Sequence, residues 1–340
     1  KQGLFWLGGV TFALLALFYF NNPSETPYVD EKGDKLTEIG DRFKQEFDMT
    51  VDPFTGEVPK QRLYKAYKIA EAKRNQRASD NLPIFWNERG PNNVGGRTRA
   101  LLIDANDGTG QTVWAGSVSG GLWRSNNIDA GNPNWVPIND LFQNLSISTI
   151  VQDPTNSNNM FFGTGECFGN QDAVRGMGIW QSTDGGANWT QMPPMDPGGN
   201  PCIIKLLYDN AGTLYAATNN QLRRFDPINA TWPGVLGAGT FANNNFISDV
   251  ELAANGDLYA CARFDGLYRS IDGGTTWTPL TNGLPTANFG RIELATAPSA
   301  ASTVYVIFAD TTSGNAGNCL SIYQSTDFGA NWTLRPCPGN

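Results

Sequence analysis

A short motif, Ser-x-Asp-x-Gly-x-x-Trp, is written three times in this chain and constrains its fold more than any other feature. It reads STDGGANW, SIDGGTTW and STDFGANW. In a hairpin turn, Asp accepts hydrogen bonds from backbone amides, Gly supplies a positive φ and Trp buries a large ring. An active site is needed once, so three copies predict structural turns rather than a catalytic device. The predicted turn residues are Ser182, Asp184, Gly186, Trp189, Ser270, Asp272, Gly274, Trp277, Ser325, Asp327, Gly329 and Trp332.

The segments around the motif repeat as well, as apolar strands with β-branched and aromatic residues. A short strand precedes each turn: GLWRS, GIWQS, GLYRS and SIYQS, with a degenerate QLRRF. The closing Trp recurs at spacings of 54, 43, 45 and 55 residues. A repeat of about 40–50 residues with about four strands per unit is typical of a β-propeller. The sequence therefore predicts an all-β fold, a β-propeller of four-stranded antiparallel blades. Its predicted domain is 84–340, with five blades visible that start near 90, 143, 201, 246 and 289.

Composition excludes several classes of function. The chain of 340 residues contains no His, which excludes Ser-His-Asp or Cys-His catalysis and His-ligated metal sites within it. Its net charge of −8 disfavours nucleic acid as a partner. The five Cys include no CxxC pair, so a zinc site is not expected. Cys319 and Cys337 flank the third turn and are one candidate disulfide, and Cys167 and Cys202 are another; the odd count leaves at least one thiol unpaired or bonded to another chain.

The N-terminal segment differs from the repeats. Residues 3–20, GLFWLGGVTFALLALFYF, are apolar and uncharged. This run falls between the about 7–15 residues of a signal-peptide core and the about 20 of a spanning helix. We favour a retained signal-anchor or transmembrane helix at 1–20 over a cleaved signal, and either one places the rest of the chain outside the cytoplasm. The charge-rich composition of residues 21–83 indicates a linker, and the apolar spacing at 59–77 predicts one amphipathic helix in it. We favour a role as a spacer for this segment over docking on a partner at the membrane.

With these features in view, the chain resembles the Asp-box (bacterial neuraminidase repeat) propeller superfamily, which includes sialidases, xyloglucanases and sortilin-type receptors. The stretches WNERGPNNVGGRTRALLID and VWAGSVSGGLWRSNN are similar to the opening blade of large secreted or surface proteins of Bacteroidetes, often exported by type IX secretion. The resemblance covers about 84–340. Its motifs are specific for the superfamily and not for an activity.

The resemblance supplies no catalytic residue. Sialidases carry an Arg-Ile-Pro motif ahead of the boxes, which is missing here, and the nearest arginines are Arg97 and Arg99. The xyloglucanase pattern places a catalytic Asp just before a Gly-Gly pair in the first blade, where this chain has Val118 and Ser119. Glycoside hydrolysis normally needs two facing carboxylates. We therefore expect a non-enzymatic propeller.

One insertion in the second blade, 163–180, is the strongest candidate for a ligand site. It contains Glu166, Asp172 and Arg175 on a loop that opens onto the axial face, where propeller ligands usually bind. The two acids could hold a ligand or cation, but we favour a salt bridge from Arg175 to one of them that orders the loop. Asp310, in a second long loop at 309–318, is a weaker candidate for a ligand or cation site. We expect no cofactor, apart from a structural cation such as calcium at most.

These features together favour a membrane-tethered, extracytoplasmic propeller that serves as a protein-interaction or surface-structural module. Its partners would be other proteins of a membrane or cell-surface assembly, and residues 3–20 would contact the membrane. The alternatives are a secreted glycan-active enzyme, with part of its site outside this segment, and a carbohydrate-binding propeller. The stretch PIFWNERG at 83–90 is the candidate strand for closing the ring. We expect the chain to be the front part of a longer protein, whose remainder would contain more blades, further β-sandwich domains or a C-terminal sorting domain.

Overall fold

The computed structural model describes a chain that divides into two compact units, Lys1–Ala66 and Tyr67–Asn340. The residues it describes are 41, 44, 45, 47–57, 65, 66, 69, 73, 97–140, 142, 144–168, 173–196, 201–237, 246–312, 314 and 317–338. In the first unit, residues 41, 44, 45 and 47–50 are helical and a turn follows at 53–57. Residues 65, 66, 69 and 73, inside the predicted helix at 59–77, are also helical. The predicted helix at 1–20 and the strand at 83–90 lie outside the described residues.

Among the helices that the structure describes, none combines the length and the apolar character needed to cross a bilayer.

Twenty strands form five antiparallel sheets of four, and each sheet is built from consecutive strands. The first sheet contains β1 (Thr98–Ile103), β2 (Val113–Ser117), β3 (Leu122–Ser125) and β4 (Val136–Pro137). The second contains β5 (Ile147–Gln152), β6 (Met160–Thr164), β7 (Ile179–Ser182) and β8 (Thr190–Gln191). The third contains β9 (Ile203–Tyr208), β10 (Leu214–Thr218), β11 (Leu222–Arg224) and β12 (Gly234–Leu236). The fourth contains β13 (Ile247–Leu252), β14 (Leu258–Ala262), β15 (Gly266–Ser270) and β16 (Thr278–Leu280). The fifth contains β17 (Phe289–Thr296), β18 (Val304–Asp310), β19 (Cys319–Ser325) and β20 (Thr333–Arg335).

The five sheets follow one another as blades, which is the arrangement of a β-propeller. The first strands β1, β5, β9, β13 and β17 contact their neighbours in sequence order. The core fills the spaces between successive sheets with aliphatic and aromatic side chains. The outward sides of the end sheets are more open: Leu101 and Ile103 of the first sheet are 68% and 66% exposed, and Tyr305 of the fifth is also exposed.

Close approach of successive sheets depends on a small residue in the second strand. Gly116 leaves no room for a side chain, because a Cβ there would lie 2.6 Å from a methyl of Ile147, a fully buried residue at the start of the next sheet. At Gly163, a Cβ would lie 2.4 Å from a methyl of Ile203. Glycine at these positions therefore allows the isoleucine of the next blade to pack against the backbone.

Side chains of the first strands also join neighbouring sheets by hydrogen bonds. Leu206 N donates to Thr149 Oγ1 at 3.1 Å, and Leu294 N donates to Asp249 Oδ2 at 2.9 Å. All four atoms are in a buried environment, where an unpaired polar group is costly. These bonds fix the relative register of the second and third sheets and of the fourth and fifth.

The three repeated turns join the third and fourth strands and share one hydrogen-bond network. In the copy at 270–277, Ser270 Oγ donates to Asp272 Oδ1 and accepts from Gly274 N, both at 2.8 Å. Asp272 Oδ1 also accepts from Thr276 N at 2.8 Å, and Gly274 has φ +76°. The same Ser and Asp bonds occur in the copies at 182–189 and 325–332. The turns are therefore closed by their own side chains.

The antiparallel order defines two faces of the second unit. The upper face is the end at which the first strands begin and the second and third strands are joined. The lower face is the opposite end and carries the three repeated turns. The loop at 165–178, between β6 and β7, lies on the upper face beside the starts of the first strands.

Replacing Gly116 with Ala tests the packing between sheets. The added Cβ forces Ile147 or its strand to shift, so we expect the free energy of unfolding to fall by about 1–3 kcal/mol. Chemical denaturation measures this change. Gly108→Ala is the matched control, because its Cβ would meet nothing within 4 Å, and we expect a change within about 0.5 kcal/mol. Equal effects of the two substitutions would contradict the packing described above.

The repeated turns also predict an acid dependence of stability. Side-chain and then backbone hydrogen bonds lower the pKa of Asp184, Asp272 and Asp327 from 3.8 to about 2. Between these values the unfolded chain binds more protons than the folded one, so this contribution is present above about pH 4 and is lost as the pH falls through about 2. We expect a protein with all three replaced by Asn to show a smaller loss of its urea midpoint over that window. An identical loss in both proteins would exclude these turns as its source.

Candidate functional site

The loop at 165–178 is held firmly on the upper face. A disulfide joins Cys167 to Cys202, which immediately precedes β9, with an S–S distance of 2.01 Å. Within the loop, Glu166 N donates to Val174 O at 2.8 Å. Asn144 Nδ2 donates to the carbonyl of Arg175 at 2.5 Å. These contacts hold Glu166 and Cys167 in place on the upper face.

The carboxylate of Glu166 pairs with Arg97. Their Oε1 and Nη2 atoms are 2.5 Å apart, and the Glu166 side chain is 8% exposed while that of Arg97 is 69% exposed. Arg175 is exposed, and the structure shows no ion pair for it within the part of the chain it describes. Glu166 therefore forms its salt bridge with Arg97, just before the first sheet, and not with Arg175 as one of the expected pairings had it. Asp172 lies outside the described residues.

Asp310 closes its own loop instead of facing the loop at 165–178. Its carboxylate accepts from Thr312 N at 2.7 Å, and this backbone bond is the main cause that lowers the pKa of Asp310. The second predicted disulfide pair, Cys319 and Cys337, is bonded nearby with an S–S distance of 1.97 Å. Cys261 is the free cysteine, and it is buried in β14. Burial raises the pKa of the Cys261 thiol well above its usual value.

Phe168 lies at the centre of a cluster that the sequence did not predict. The guanidinium carbon of Arg291 is 3.8 Å from the centroid of its ring, and that of Arg99 is 5.1 Å away. The edge of Phe246 packs against it, with centroids 5.7 Å apart. Because Arg99 is in β1 and Arg291 in β17, one aromatic ring from the second sheet contacts cations of the first and fifth.

The cluster continues through the fourth sheet. The guanidinium carbon of Arg263 is 5.1 Å from the Phe246 centroid and 4.5 Å from that of Phe264. Phe264 is 50% exposed and has φ +60°, a left-handed conformation that is sparsely populated for residues other than Gly. We call this group the Arg–Phe cluster. Its members are Arg99, Arg263, Arg291, Phe168, Phe246 and Phe264.

Positive charge in the Arg–Phe cluster is only partly neutralised. Arg291 pairs with Glu293, with Nε and Oε1 2.5 Å apart. In the described part of the chain, no carboxylate lies within salt-bridge distance of Arg99 or Arg263. Burial, and then the like charge of Arg291, lowers the pKa of both. Three arginines thus lie close together although the chain has a net charge of −8.

A second group of charges lies next to the cluster, between β9 and β13. Lys205 Nζ is 2.8 Å from Asp249 Oδ1 and 2.5 Å from Glu251 Oε1. Burial would lower the pKa of Lys205, but the attraction of Asp249 and Glu251 outweighs it and raises the pKa. Burial raises the pKa of Glu251 and of Glu293, and the charge of Asp249 adds to both increases. Asp249, Glu251 and Glu293 are therefore each engaged in an ion pair.

The chemistry of the cluster suits an anion more than a cation. A guanidinium stacked on a ring keeps its in-plane N–H donors free and has no acceptor. Phenylalanine adds apolar surface and likewise no acceptor. Within the described residues, no group of three or more His, Cys, Asp or Glu side chains is placed to hold a metal ion.

Removing the Cys167–Cys202 disulfide tests whether it holds the loop. The two cysteines are 35 residues apart, and we expect their replacement by Ser to lower the free energy of unfolding by about 2–4 kcal/mol. Limited proteolysis should then cut within 165–178. The control is Cys319→Ser with Cys337→Ser, which opens a link of 18 residues and should leave that loop resistant. A loop equally resistant in both variants would mean that the other contacts suffice.

Comparisons with known proteins concern the fold. No family model matches the chain. It is 24% identical over 279 residues to a xyloglucanase from Paenibacillus sp, a match that covers 76% of this chain and 23% of that protein. An ancestral GH74 enzyme superposes with a TM-score of 0.52 at 19% identity, over 71% of this chain and 31% of that one. An extracellular domain of a sensor protein, described as a one component system from B. thetaiotaomicron, gives a TM-score of 0.45 at 18% identity, over 73% and 28%.

The likeness to the ancestral GH74 enzyme is consistent with a β-propeller. The chain spans less than a quarter of the length of the curated relative it matches. At identities below 25%, the likeness to the GH74 enzyme concerns the arrangement of the sheets and not the residues of a site.

Proposed function

We propose that this chain is an extracytoplasmic β-propeller that binds a partner protein through its upper face, as a module of a larger surface assembly. The observation that carries the proposal is the Arg–Phe cluster, in which Arg99 and Arg263 are close to other cations and lack a carboxylate partner among the described residues. Clustered arginines and aromatic rings are the side chains that most often anchor protein interfaces.

Two disulfides support the extracytoplasmic part of the proposal. Bonds such as Cys167–Cys202 and Cys319–Cys337 persist in oxidising compartments and are rare in the cytosol. The apolar run at 3–20 supports a membrane tether. The turn networks support membership of the Asp-box superfamily, and the resemblance to Bacteroidetes surface proteins supports export by a type IX pathway.

A glycan-active enzyme is the second candidate, favoured by the likeness to a xyloglucanase and by one group of acids. Glu251 and Glu293 have raised pKa values and both are influenced by Asp249, as a pair of catalytic carboxylates would be. Their ion pairs with Lys205 and Arg291 favour a structural role instead. Xyloglucan hydrolysis that is lost in both Glu251→Gln and Glu293→Gln would favour the enzyme.

Co-purification from native membranes tests the binding proposal. We expect the tagged full-length protein to retain a stoichiometric partner, and Arg99→Ala with Arg263→Ala to lose it while keeping its melting temperature. Ile271→Asp is the control, since Ile271 is 73% exposed on a turn of the lower face. A partner that is kept by the arginine variant and lost by Ile271→Asp would place the interface on the wrong face and refute the proposal.

A further inference from the structure

We infer that the Arg–Phe cluster binds carboxylate side chains of an acidic peptide segment in the partner, with Arg99 and Arg263 as the recognising cations. This inference rests on the proposed function and adds the chemistry of its ligand. Of the three arginines in the cluster, Arg291 is already paired with Glu293, so Arg99 and Arg263 are the cluster's guanidiniums that a ligand would neutralise.

The geometry suits a carboxylate at each of these two positions. The guanidinium of Arg99 lies over the ring of Phe168, with its carbon 5.1 Å from the centroid, and that of Arg263 lies over the rings of Phe246 and Phe264, at 5.1 and 4.5 Å. A guanidinium that lies over a ring keeps its N–H groups at the edges, which form paired hydrogen bonds with carboxylates. The rings also limit the motion of the arginine side chains, so less conformational entropy is lost when the ligand binds.

Repulsion within the cluster adds a driving force for an anion. Arg99 and Arg291 contact the same ring, and Arg291 also repels Arg263. A bound carboxylate would offset this repulsion in a partly buried setting, where charge interactions are screened less than at the open surface. Glu166 and Glu293 also attract Arg99, but each forms its salt bridge with another arginine, and among the described residues neither Arg99 nor Arg263 has a salt bridge of its own.

A peptide fits the cluster better than a neutral glycan. Sugar hydroxyls need acceptors as well as donors, and arginine and phenylalanine side chains supply no acceptor. Phe264 is half exposed beside Arg263, so it offers apolar contact next to a cation. Its backbone is fixed there by a hydrogen bond from Phe264 N to Gly290 O at 3.1 Å. An acidic segment that alternates carboxylates with apolar side chains matches this pattern of charge and ring.

Binding of synthetic peptides to the full-length protein tests the inference. The probe is a fluorescent peptide in which Glu alternates with Leu, and its counterpart carries Gln in place of Glu. We expect the Glu peptide to bind, and Arg99→Gln or Arg263→Gln each to raise its dissociation constant about tenfold, as expected for a lost hydrogen bond to a charged group. Arg335→Gln is the matched control, because Arg335 is exposed on β20 and pairs with Gln324. The dissociation constant of the Glu peptide should be the same for Arg335→Gln as for the wild type. Added salt should weaken binding of the Glu peptide to the wild type.

Other outcomes would overturn the inference. Equal binding of the Gln peptide, an equal effect of Arg335→Gln, or no binding of either peptide would each contradict a carboxylate site for peptides. Binding of oligogalacturonate alone would assign the cluster to an anionic glycan. Each variant is first checked by its melting temperature, so that loss of binding is not loss of fold.

Failure of the inference is distinguishable from failure of the proposed function. If native co-purification requires Arg99 and Arg263 but the Glu peptide does not bind, the upper face binds a partner by other chemistry. If co-purification is unaffected by both substitutions, the proposed function itself is wrong.

Discussion

Close packing of each sheet against a small residue in the second strand of the preceding sheet is the contact on which the arrangement of the blades depends. Ile147 and Ile203 begin the second and third sheets, and each is fully buried against a glycine of the preceding sheet. The third and fourth sheets place Ala217 and Cys261, both fully buried, at the corresponding position of their second strands. Small residues there let successive sheets approach closely, and the starts of the first strands are thereby gathered at one end.

The candidate site is a consequence of that gathering. Arg99, Phe246 and Arg291 lie at or just before the beginning of three different first strands, so they meet only because the blades bring those ends together. Phe168, shortly after the end of β6, contacts both arginines at this end of the sheets. The Cys167–Cys202 disulfide fixes the loop at 165–178 to the start of the third sheet. Fold stability and site geometry are therefore linked through the same strand ends.

The sequence predicted the strands and turns well because their signals are local. Each repeated turn carries its own Ser, Asp and Gly, and the bonds they form span at most a few residues. The corresponding turn of the first sheet carries a weaker sequence signal, because Asn127 takes the place of Asp. Asn127 Oδ1 accepts from Ser125 Oγ and, across a longer loop, from Asn134 N. The third sheet uses Asp226 in a turn that lacks the preceding Ser.

The Arg–Phe cluster could not be predicted in the same way. Its members are spread over nearly 200 positions of the chain and share no motif, although Arg99 and Arg291 both lie near the start of a first strand. For Glu166, the sequence favoured Arg175 as an ion-pair partner, whereas the structure pairs it with Arg97. Ion pairs between blades depend on the angle between sheets, which a local pattern does not contain.

Hydrogen–deuterium exchange on the native assembly, with and without its partner, tests the central claim that the upper face is the binding surface. The account predicts slower exchange on binding at 165–168, 263–266 and 289–293, with no change at the lower-face turn 270–277. Protection confined to the lower face or to the outer strands, with the upper face unchanged, would contradict it.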